Sequence, residues 1–470
     1  MRYEIVCGIE THIELATETK IFCGCTTAFG GDPNTHCCPV CTGQPGSLPV
    51  LNKKVVEYAI RAGLAIHCKI NTVSHMDRKN YVYPDLPKAY QISQYDEPLC
   101  EHGYIELDSG KRIGITRIHI EEDAGKLVHE NGYTYIDYNR GGVPLIEIVS
   151  EPDISSPEEA REYAEKLQLI MRYVAVSDCK MQEGSMRCDV NLSLREAGSK
   201  EFGTRTETKN INSLNYIQKA MYAERERQTD ILEAGGKIIQ ETMRYDDATE
   251  TVTPMREKEN SDDYRYFPDP DLVRFEVAQE KVEEIKGSLP ELPFDKLDRY
   301  MTELGLPEST AKQMFRYRRV AEFFEEALEQ GASVKNASNL IIGIIYSNMN
   351  TEEDKELFEI KTSAQQFAEL VKMLDEKKIN AKMAQNTLQQ MLESGKPSDA
   401  FIKAQDLEGV SDDELTKWCQ EAIDANPKAV ADIKSGKDKA INVMFGHIMK
   451  QSKGKADVKQ AEAIIRDLIK

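Results

Sequence analysis

The sequence lacks the features that mark membrane proteins, secreted proteins and proteins that coat nucleic acid. No apolar stretch approaches the roughly 20 residues that a membrane-spanning helix needs, and the first residues, MRYEIVCGIE, do not have the layout of a signal peptide. Positive charge is in deficit, because the formal net charge is −20, which argues against unspecific coating of nucleic acid. The 11 cysteines, without a secretion signal, indicate a reducing cytoplasm with thiols free or on metal.

Common catalytic motifs are missing as well. The sequence contains neither G-x-x-x-x-G-K-[ST] nor G-x-G-x-x-G, so the two common phosphate-binding loops are excluded. It also has no G-x-S-x-G and no Ser-Ser-Lys amidase pattern. This predicts that the chain does not hydrolyse an amide itself.

The patterns that are present indicate an α+β protein of two or three domains, the number expected for 470 residues. Residues 1–292 alternate period-two strands with helices. At the segment LPELP the sequence pattern changes from strands mixed with helices to short amphipathic helices. We therefore predict a helical domain over 293–397 and a small helical tail domain over 398–470. The helices predicted for the middle domain span 309–331, 337–349, 363–376 and 381–393.

Two helices of the first domain have clear sequence boundaries. Ser156, Pro157 and Glu159 form a capping box with proline at the first helical position, and an apolar stripe follows. A second helix is predicted from about Leu214 to the glycine pair that begins at Gly235.

Four cysteines form two close pairs, Cys23-x-Cys25 and Cys38-x-x-Cys41. Each pair can present two thiolates to one tetrahedral ion, and four sulfur ligands leave no open position, so we predict a structural zinc site. The alternative is that these cysteines carry no metal and lie in a loop rich in Gly and Pro.

Charged residues recur at alternate positions of predicted strands, so that they share a strand face. These residues are Glu10, His12 and Glu14 in a first strand, Arg117, His119 and Glu121 in a second, and Glu147 in a third. Charges amid apolar strands are costly unless they are paired or bind metal. Carboxylates with an imidazole could converge on a hard divalent cation such as Mg²⁺; salt bridges to arginines are the alternative.

Two further predicted strands carry polar faces. The first face consists of Arg187, Asp189, Asn191 and Ser193, and the second of Arg205, Glu207 and Lys209. Such faces can line a site for phosphates and a polar substrate. A solvated sheet face is the alternative.

The end of the chain differs in charge from the rest. From Asn426 to Lys470 there are ten Lys and Arg against five Asp and Glu, about +5 in a chain that is otherwise about −25. The lysines that lie in or beside glycine turns are Lys428, Lys434, Lys437, Lys439, Lys450, Lys453, Lys455 and Lys459. This asymmetry suggests a module with an anionic partner; a solvated helical surface is the alternative.

Six strings of the sequence are distinctive when taken together. They are GIETH from Gly8, GSLPVLN from Gly46, DRKNYVYPDLPKAYQISQ from Asp77, HIEEDAGK from His119, PLIEIVSEPD from Pro144 and DYRYFP from Asp263. This set resembles the B-subunit family of the aspartyl/glutamyl-tRNA(Asn/Gln) amidotransferases. The resemblance covers essentially the whole chain.

The resemblance implies a cradle-shaped α+β domain, a helical domain and a mobile tail, and a two-step reaction. ATP would phosphorylate the side-chain carboxylate of Glu or Asp esterified to tRNA(Gln) or tRNA(Asn), and ammonia would then displace phosphate. An amidase (A) subunit would supply the ammonia, which explains the missing amidase motif, and a small C subunit would complete the complex. Phosphoryl transfer of this kind depends on positioning and on Mg²⁺.

The resemblance also implies roles for individual residues. The metal positions of the family correspond to Glu10, His12, Glu121 and Glu147, which we expect to be catalytic Mg²⁺ ligands. The residues that we expect to bind the nucleotide are Lys79, Tyr81, Glu122, Asp123, Arg187 and Asp189. The tail is expected to grip the body of the tRNA.

Two other interpretations fit part of this pattern. An archaeal-type paralogue specific for Glu-tRNA(Gln) resembles this chain in the cradle but carries an inserted synthetase-like domain, for which 470 residues leave no obvious room. A non-catalytic, zinc-bearing tRNA-binding module would place basic and aromatic residues where this sequence places carboxylates.

Overall fold

A computed structural model of the chain describes residues 2–257, 261–402, 412–435, 438–452, 456 and 458–469. The chain forms two compact units, Met1–Leu292 and Pro293–Lys470. The first combines sheets with helices and the described elements of the second are helices, which confirms the predicted α+β class. The cradle shape and the division into three domains stay predictions.

The first unit is built on a nine-stranded main sheet with the strand order β14-β13-β12-β11-β1-β10-β7-β6-β2. Its neighbouring strands are antiparallel except β12 and β13, which are parallel. Smaller sheets pair β15-β4-β5, β16-β3 and β8-β9. The strands are β1 (Tyr3–Glu14), β2 (Lys69–Ile70), β3 (Val73–Ser74), β4 (Asp77–Asn80), β5 (Tyr90–Ser93), β6 (Cys100–Glu106), β7 (Arg112–Glu122), β8 (Lys126–Glu130), β9 (Tyr133–Asp137), β10 (Pro144–Ser150), β11 (Met186–Glu196), β12 (Thr206–Ile211), β13 (Glu241–Asp246), β14 (Thr251–Glu257), β15 (Phe267–Pro268) and β16 (Phe275–Glu276).

Strand β1 lies in the middle of the main sheet, between β10 and β11. Its residues Cys7, Ile9 and Ile13 are at most 1% exposed and belong to the apolar face of the sheet. Because successive side chains of a strand point to opposite faces, Glu10 and His12 project from the other face. The α-helices among the described residues of this unit are α1 (Lys53–Ala65), α2 (Pro157–Tyr173), α3 (Leu214–Glu233) and α4 (Gln279–Gly287).

The predicted ends of α2 and α3 are confirmed with one change. Ser156 Oγ accepts from the backbone N–H of Glu159 at 3.1 Å, as expected of an N-cap. The return bond of the capping box is shifted by one residue, since the Glu159 carboxylate accepts from the N–H of Ser155 at 2.8 Å. Helix α3 follows the N-cap Ser213 and stops before Gly235, which adopts a φ of 78°.

The described helices of the second unit are mostly short. They are α5 (Pro293–Thr302), α6 (Glu308–Phe315), α7 (Arg318–Glu329), α8 (Val334–Leu340), α9 (Glu352–Leu357), α10 (Ala364–Asp375), α11 (Ala381–Ser394), α12 (Asp412–Ala425), α13 (Pro427–Lys434), α14 (Asn442–Gln451) and α15 (Val458–Leu468). The single helix predicted over 309–331 was wrong: α6 and α7 are separate because the backbone of Tyr317 is extended, with φ −117° and ψ 117°.

No helix among the described residues is long and apolar enough to cross a membrane.

The end of the second unit has an apolar core of its own. Leu415, Cys419, Met444 and Ile465 are at most 1% exposed and belong to one cluster. The structure describes only part of the eight lysines that the sequence places in or beside glycine turns of the tail. Outside the described residues lie Lys437, Lys453, Lys455 and the side chain of Lys439. The other four, Lys428, Lys434, Lys450 and Lys459, are exposed.

Candidate active site

The polar face of the main sheet brings imidazole and carboxylate groups together. The strand register places His12 of β1 and His119 of β7 on either side of Glu147 of β10. His12 Nε2 lies 3.4 Å from Glu147 Oε2 and 3.8 Å from Glu121 Oε1. His119 Nε2 lies 3.3 Å from Glu147 Oε2. We call His12, Glu121 and Glu147 the first cluster.

The charges of the first cluster depend on one another. Burial alone would lower the pKa of His12, but Glu147 and Glu121 raise that pKa to about 9. Burial would raise the pKa of Glu147, but His119 and His12 hold it well below its ordinary value. An imidazolium on His12 therefore offsets part of the charge of the two carboxylates.

A divalent cation fits the first cluster in place of that proton. The ligand atoms of its three residues all lie within 4.8 Å of one another. An octahedral ion with bonds of about 2.1 Å requires donor atoms separated by roughly 3 to 4.2 Å. The distances from His12 Nε2 to the carboxylate oxygens of Glu147 and Glu121, 3.4 and 3.8 Å, fall in this range.

A second cluster lies on the same face and consists of Glu10, Asp189 and Glu207, whose ligand atoms also lie within 4.8 Å of one another. Glu10 and Asp189 are opposite each other in the pairing of β1 with β11. Lys209 Nζ lies 2.8 Å from Asp189 Oδ2 and 3.6 Å from Glu207 Oε1. Asn191 donates to Glu10 Oε1 at 3.0 Å. Lys209 is therefore the counter-ion of these carboxylates. A metal cation that bound here would displace Lys209 or share the carboxylates with it.

The four metal ligands expected from the sequence therefore fall into two sets. His12, Glu121 and Glu147 meet as predicted, whereas Glu10 gathers with Asp189, which we had expected to bind the nucleotide. Neighbouring residues on one strand face point in the same direction, but their partners differ because β10 flanks one side of β1 and β11 the other.

Aromatic rings surround Lys79 in the cavity beside the first cluster. Lys79 Nζ lies 4.9 Å from the ring centroid of Tyr264 and 6.0 Å from that of Tyr81. Burial would lower the pKa of Lys79, but Tyr266, Glu121 and Glu147 raise it. Among the described residues, no hydrogen bond or ion pair reaches its ammonium group. The ammonium group of Lys79 is thus available to bind an anionic ligand.

Asp123 and Arg187 are brought together at the same cavity. Arg187 Nη2 lies 2.7 Å from Asp123 Oδ2, and Arg140 Nε lies 3.5 Å from the same oxygen. Both arginines hold the pKa of the Asp123 carboxyl below its ordinary value against the effect of burial. Glu14 is buried beside Asp123, and both factors raise its pKa to about 8. Glu14 is therefore largely protonated at neutral pH.

Glu122 lies apart from these groups. Its Oε1 accepts from Lys88 Nζ at 2.5 Å and from the backbone N–H of Ile92 at 2.9 Å. It lines a smaller cavity of about 140 Å³ beside Cys23 and Cys41 rather than the cavity that contains His12. As the next residue after Glu121 on β7, it points to the opposite side of the strand.

The four paired cysteines converge, as their spacing predicted. The Sγ atoms of Cys23, Cys25, Cys38 and Cys41 lie within 4.8 Å of one another, and those of Cys38 and Cys41 are 3.9 Å apart. A tetrahedral zinc with bonds of about 2.3 Å requires sulfur separations near 3.8 Å. The thiol of Cys23, the Cys38 N–H and Lys20 hold the pKa of Cys41 below its ordinary value, which favours a thiolate ligand.

A single cavity of about 1470 Å³ joins most of these groups. The predicted site residues that line it are His12, Lys79, Tyr81, Glu121, Asp123, Arg187 and Asp189. Small-molecule sites usually occupy about 300–1000 Å³. The cavity therefore has room for a nucleotide together with part of a second substrate.

Sequence reasoning missed three contributors to the cavity. His119 was seen only as a neighbour on a polar face, although it contacts Glu147. Tyr264 lies in the string DYRYFP, from which no role follows for it, although its ring contacts the ammonium group of Lys79. The β8–β9 hairpin, which lines one side of the cavity, was also missed. Its signal was the pair Asn131-Gly132 between two apolar-polar stretches, since Asn-Gly favours a two-residue hairpin turn.

Comparisons with known proteins agree with this combination of a sheet-based site and a helical unit. Residues 5–283 match the family model described as "GatB/GatE catalytic domain", and residues 322–469 match the one described as "GatB domain". The protein belongs to the GatB family.

Three relatives illustrate the similarity, and each is named as the B subunit of an aspartyl/glutamyl-tRNA(Asn/Gln) amidotransferase. The relative from Thermoanaerobacter sp. (strain X514) is 52% identical over 472 residues, and the one from Caldicellulosiruptor saccharolyticus is 52% identical over 476 residues, with 99% of both chains covered in each case. The relative from Bacillus licheniformis is 49% identical over 462 residues and covers 97% of both chains.

Proposed function

We propose that the chain is the B subunit of a tRNA-dependent aspartyl/glutamyl amidotransferase, a carbon–nitrogen ligase of translation. It activates the side-chain carboxylate of Glu-tRNA(Gln), Asp-tRNA(Asn) or both by ATP-dependent phosphorylation, and ammonia then displaces phosphate. The proposal is supported by relatives of that name along almost the entire chain and by a cavity that Lys79, His12 and Glu121 of the first cluster and Asp189 of the second cluster line together.

The chemistry explains why such a cavity is needed. A carboxylate does not react with ammonia until one of its oxygens becomes a phosphate leaving group. The transfer brings the negative charges of a nucleotide and a carboxylate together, so catalysis depends on positioning and on positive charge. When bound, Mg²⁺ would supply positive charge that stabilises the phosphoryl group during its transfer.

The residues divide this task between them. His12, Glu121 and Glu147 would hold one Mg²⁺, with His119 fixing the Glu147 carboxylate at 3.3 Å. Glu10, Asp189 and Glu207 would hold a second cation. Lys79, with Tyr81 beside it, and Arg187, which Asp123 orients at 2.7 Å, would contact the anionic substrates, while Glu122 would act only through its ion pair with Lys88.

The remaining parts support the catalytic unit. Zinc on the four cysteines would be structural, since four thiolates leave no position for substrate. An amidase subunit would supply ammonia and a small third subunit would complete a heterotrimer. We place the reaction in the cytoplasm, where the free thiols of the chain stay reduced.

The proposal is tested with the complex co-purified with its amidase and small subunits. We expect amide formation on at least one of the two mischarged tRNAs and ATP cleavage that the mischarged tRNA stimulates. The Glu147→Gln variant should lose about 100-fold or more of both, the loss expected when cation-based charge stabilisation worth several kcal/mol is removed. Glu196→Gln, at the exposed end of β11, is the matched control. tRNA binding without stimulated ATP cleavage would instead identify a binding module.

A further inference from the structure

Two exposed tyrosines stand on the hairpin that lines one side of the large cavity. Strands β8 and β9 pair so that Tyr133 is opposite Glu130, Tyr135 opposite Val128 and Asp137 opposite Lys126. Opposed residues of antiparallel strands share a face. Five of these six residues, all but Tyr133, line the cavity, so this face of the hairpin is the one turned towards the cavity.

The two rings are unusually exposed for aromatic side chains. Tyr133 is 70% and Tyr135 is 55% exposed, and their ring centroids lie 6.5 Å apart. Phe29, which is 76% exposed, lines the same cavity. Exposed rings at a cavity mouth point to a ligand that has flat faces of its own.

The hairpin is held in place firmly enough to act as a platform. Asn131 and Gly132 form its turn with φ values of 53° and 79°, the left-handed conformations that a type I′ turn needs. At its base, Asn34 donates from Nδ2 to Ile136 O at 2.9 Å and accepts from Tyr138 N at 2.8 Å. The Asn34 backbone N–H also donates to Asp137 Oδ1 at 3.0 Å.

We propose that Tyr133 and Tyr135 stack on the unpaired nucleobases at the 3′ end of the aminoacylated tRNA and so position the esterified amino acid in the cavity. The inference rests on the proposed function, which requires that the end of a tRNA reach the carboxylate clusters. Unpaired bases of RNA are commonly bound by stacking on aromatic side chains.

The exposure of the rings favours the tRNA end over the adenine of ATP. A small ligand is usually buried by 70–90% or more of its surface, whereas these rings lie open to solvent. The charged residues of this hairpin face include Glu130 and Asp137 as well as Lys126, so stacking rather than phosphate attraction carries the contact. Its contribution should therefore vary little with salt, unlike phosphate binding.

The test uses the complete complex and two competitors of mischarged tRNA: intact uncharged tRNA and the same tRNA without its terminal adenosine. For the wild type, we expect loss of that base to weaken inhibition by roughly 5- to 100-fold, the range of one base–aromatic stack. The double variant Tyr133→Ala/Tyr135→Ala should no longer distinguish the competitors, and its KM for mischarged tRNA should rise while its KM for ATP stays unchanged. Tyr133→Phe/Tyr135→Phe should behave as the wild type.

Phe202→Ala is the matched control, because Phe202 is 66% exposed and lies by the opposite end of β11 from Arg187. Equal discrimination by the wild type and the double alanine variant would overturn the proposal, as would a rise in the KM for ATP alone. A wild-type complex that formed no amidated tRNA would instead contradict the proposed function, and direct binding of the two uncharged tRNAs to the wild type and the double alanine variant would still decide the role of the tyrosines.

Discussion

The two kinds of candidate metal site in this protein are built in different ways. The thiol site takes all four ligands from residues 23–41, a segment with few regular elements. The two carboxylate clusters take theirs from β1, β7, β10, β11 and β12 of one sheet. A metal ion in the first case would hold the loop together, whereas in the second the sheet positions the ligands by its own strand pairing.

The difference also appears in the charge balance. The carboxylate clusters contain cations of their own, His12 in the first and Lys209 in the second. Among the described neighbours of the thiol site, Lys20 is the cation that approaches, at 3.8 Å from Cys41 Sγ. In the sheet site these cations offset part of the carboxylate charge without a metal ion, whereas the thiol site would become charged when its thiols deprotonate to bind one.

The largest expected effect comes from separating the two carboxylate clusters. Glu121→Gln should remove the cation of the first cluster and lower amide formation by about 100-fold or more, while glutamine hydrolysis by the partner subunit persists. Glu207→Gln should remove the second cation and leave the first. Mn²⁺ bound per chain, counted by electron paramagnetic resonance, checks this: each variant should lose one ion, and loss of both from either variant would show a single site.

The thiol site should respond in the opposite way, through folding rather than chemistry. Cys38→Ser should abolish binding of about one zinc per chain and reduce solubility or complex assembly. Cys37→Ser is the matched control, because Cys37 is adjacent in sequence but not among the four converging thiols. Zinc analysis after chelator-free purification, with thermal melting of both variants, makes the measurement. Wild-type protein without zinc would contradict the prediction.

The tail offers a smaller effect that involves neither site. Deleting residues 398–470 should weaken tRNA affinity and reduce its salt dependence, because exposed lysines such as Lys428 and Lys450 would no longer reach phosphates. Glutamine hydrolysis and ATP binding should survive. tRNA binding measured across a salt titration checks this, and equal affinity of truncated and full-length protein at every salt concentration would leave the lysines as a solvated surface.

The smallest expected effect concerns Glu14, within the sheet site. Its pKa is raised to about 8 by burial and by Asp123, so the folded state binds a proton that the unfolded state releases above its ordinary pKa of about 4.3. The stability that this proton gives is complete below about pH 4, is lost steadily as the pH rises from there, and is gone above about 8. Glu14→Gln should therefore melt as the wild type near about pH 4 and a few degrees higher at about pH 9. A higher melting point near about pH 4 alone would contradict this sign.

The thiol site could be predicted from the sequence more completely than the carboxylate clusters. The cysteine spacing alone identified all four thiols, since a local motif carries its geometry in the sequence. The face of β1 was correctly predicted from alternation, but the order β11-β1-β10 cannot be deduced from alternation. For that reason the sequence did not predict that Glu10 lies with Asp189 while His12 lies with Glu147. The cavity position expected for Glu122 came from the resemblance, whereas alternation along β7 places it opposite Glu121.

The central place of β1 has a consequence for how the protein is made. This strand is synthesised well before its partners β10 and β11, which end at Ser150 and Glu196. At about 5–20 residues per second, roughly 10 to 40 seconds pass before the second partner is synthesised. The edge of β1 that pairs with β11 stays unpaired for that time, and an unpaired edge next to an apolar face can pair with other chains until the sheet is complete.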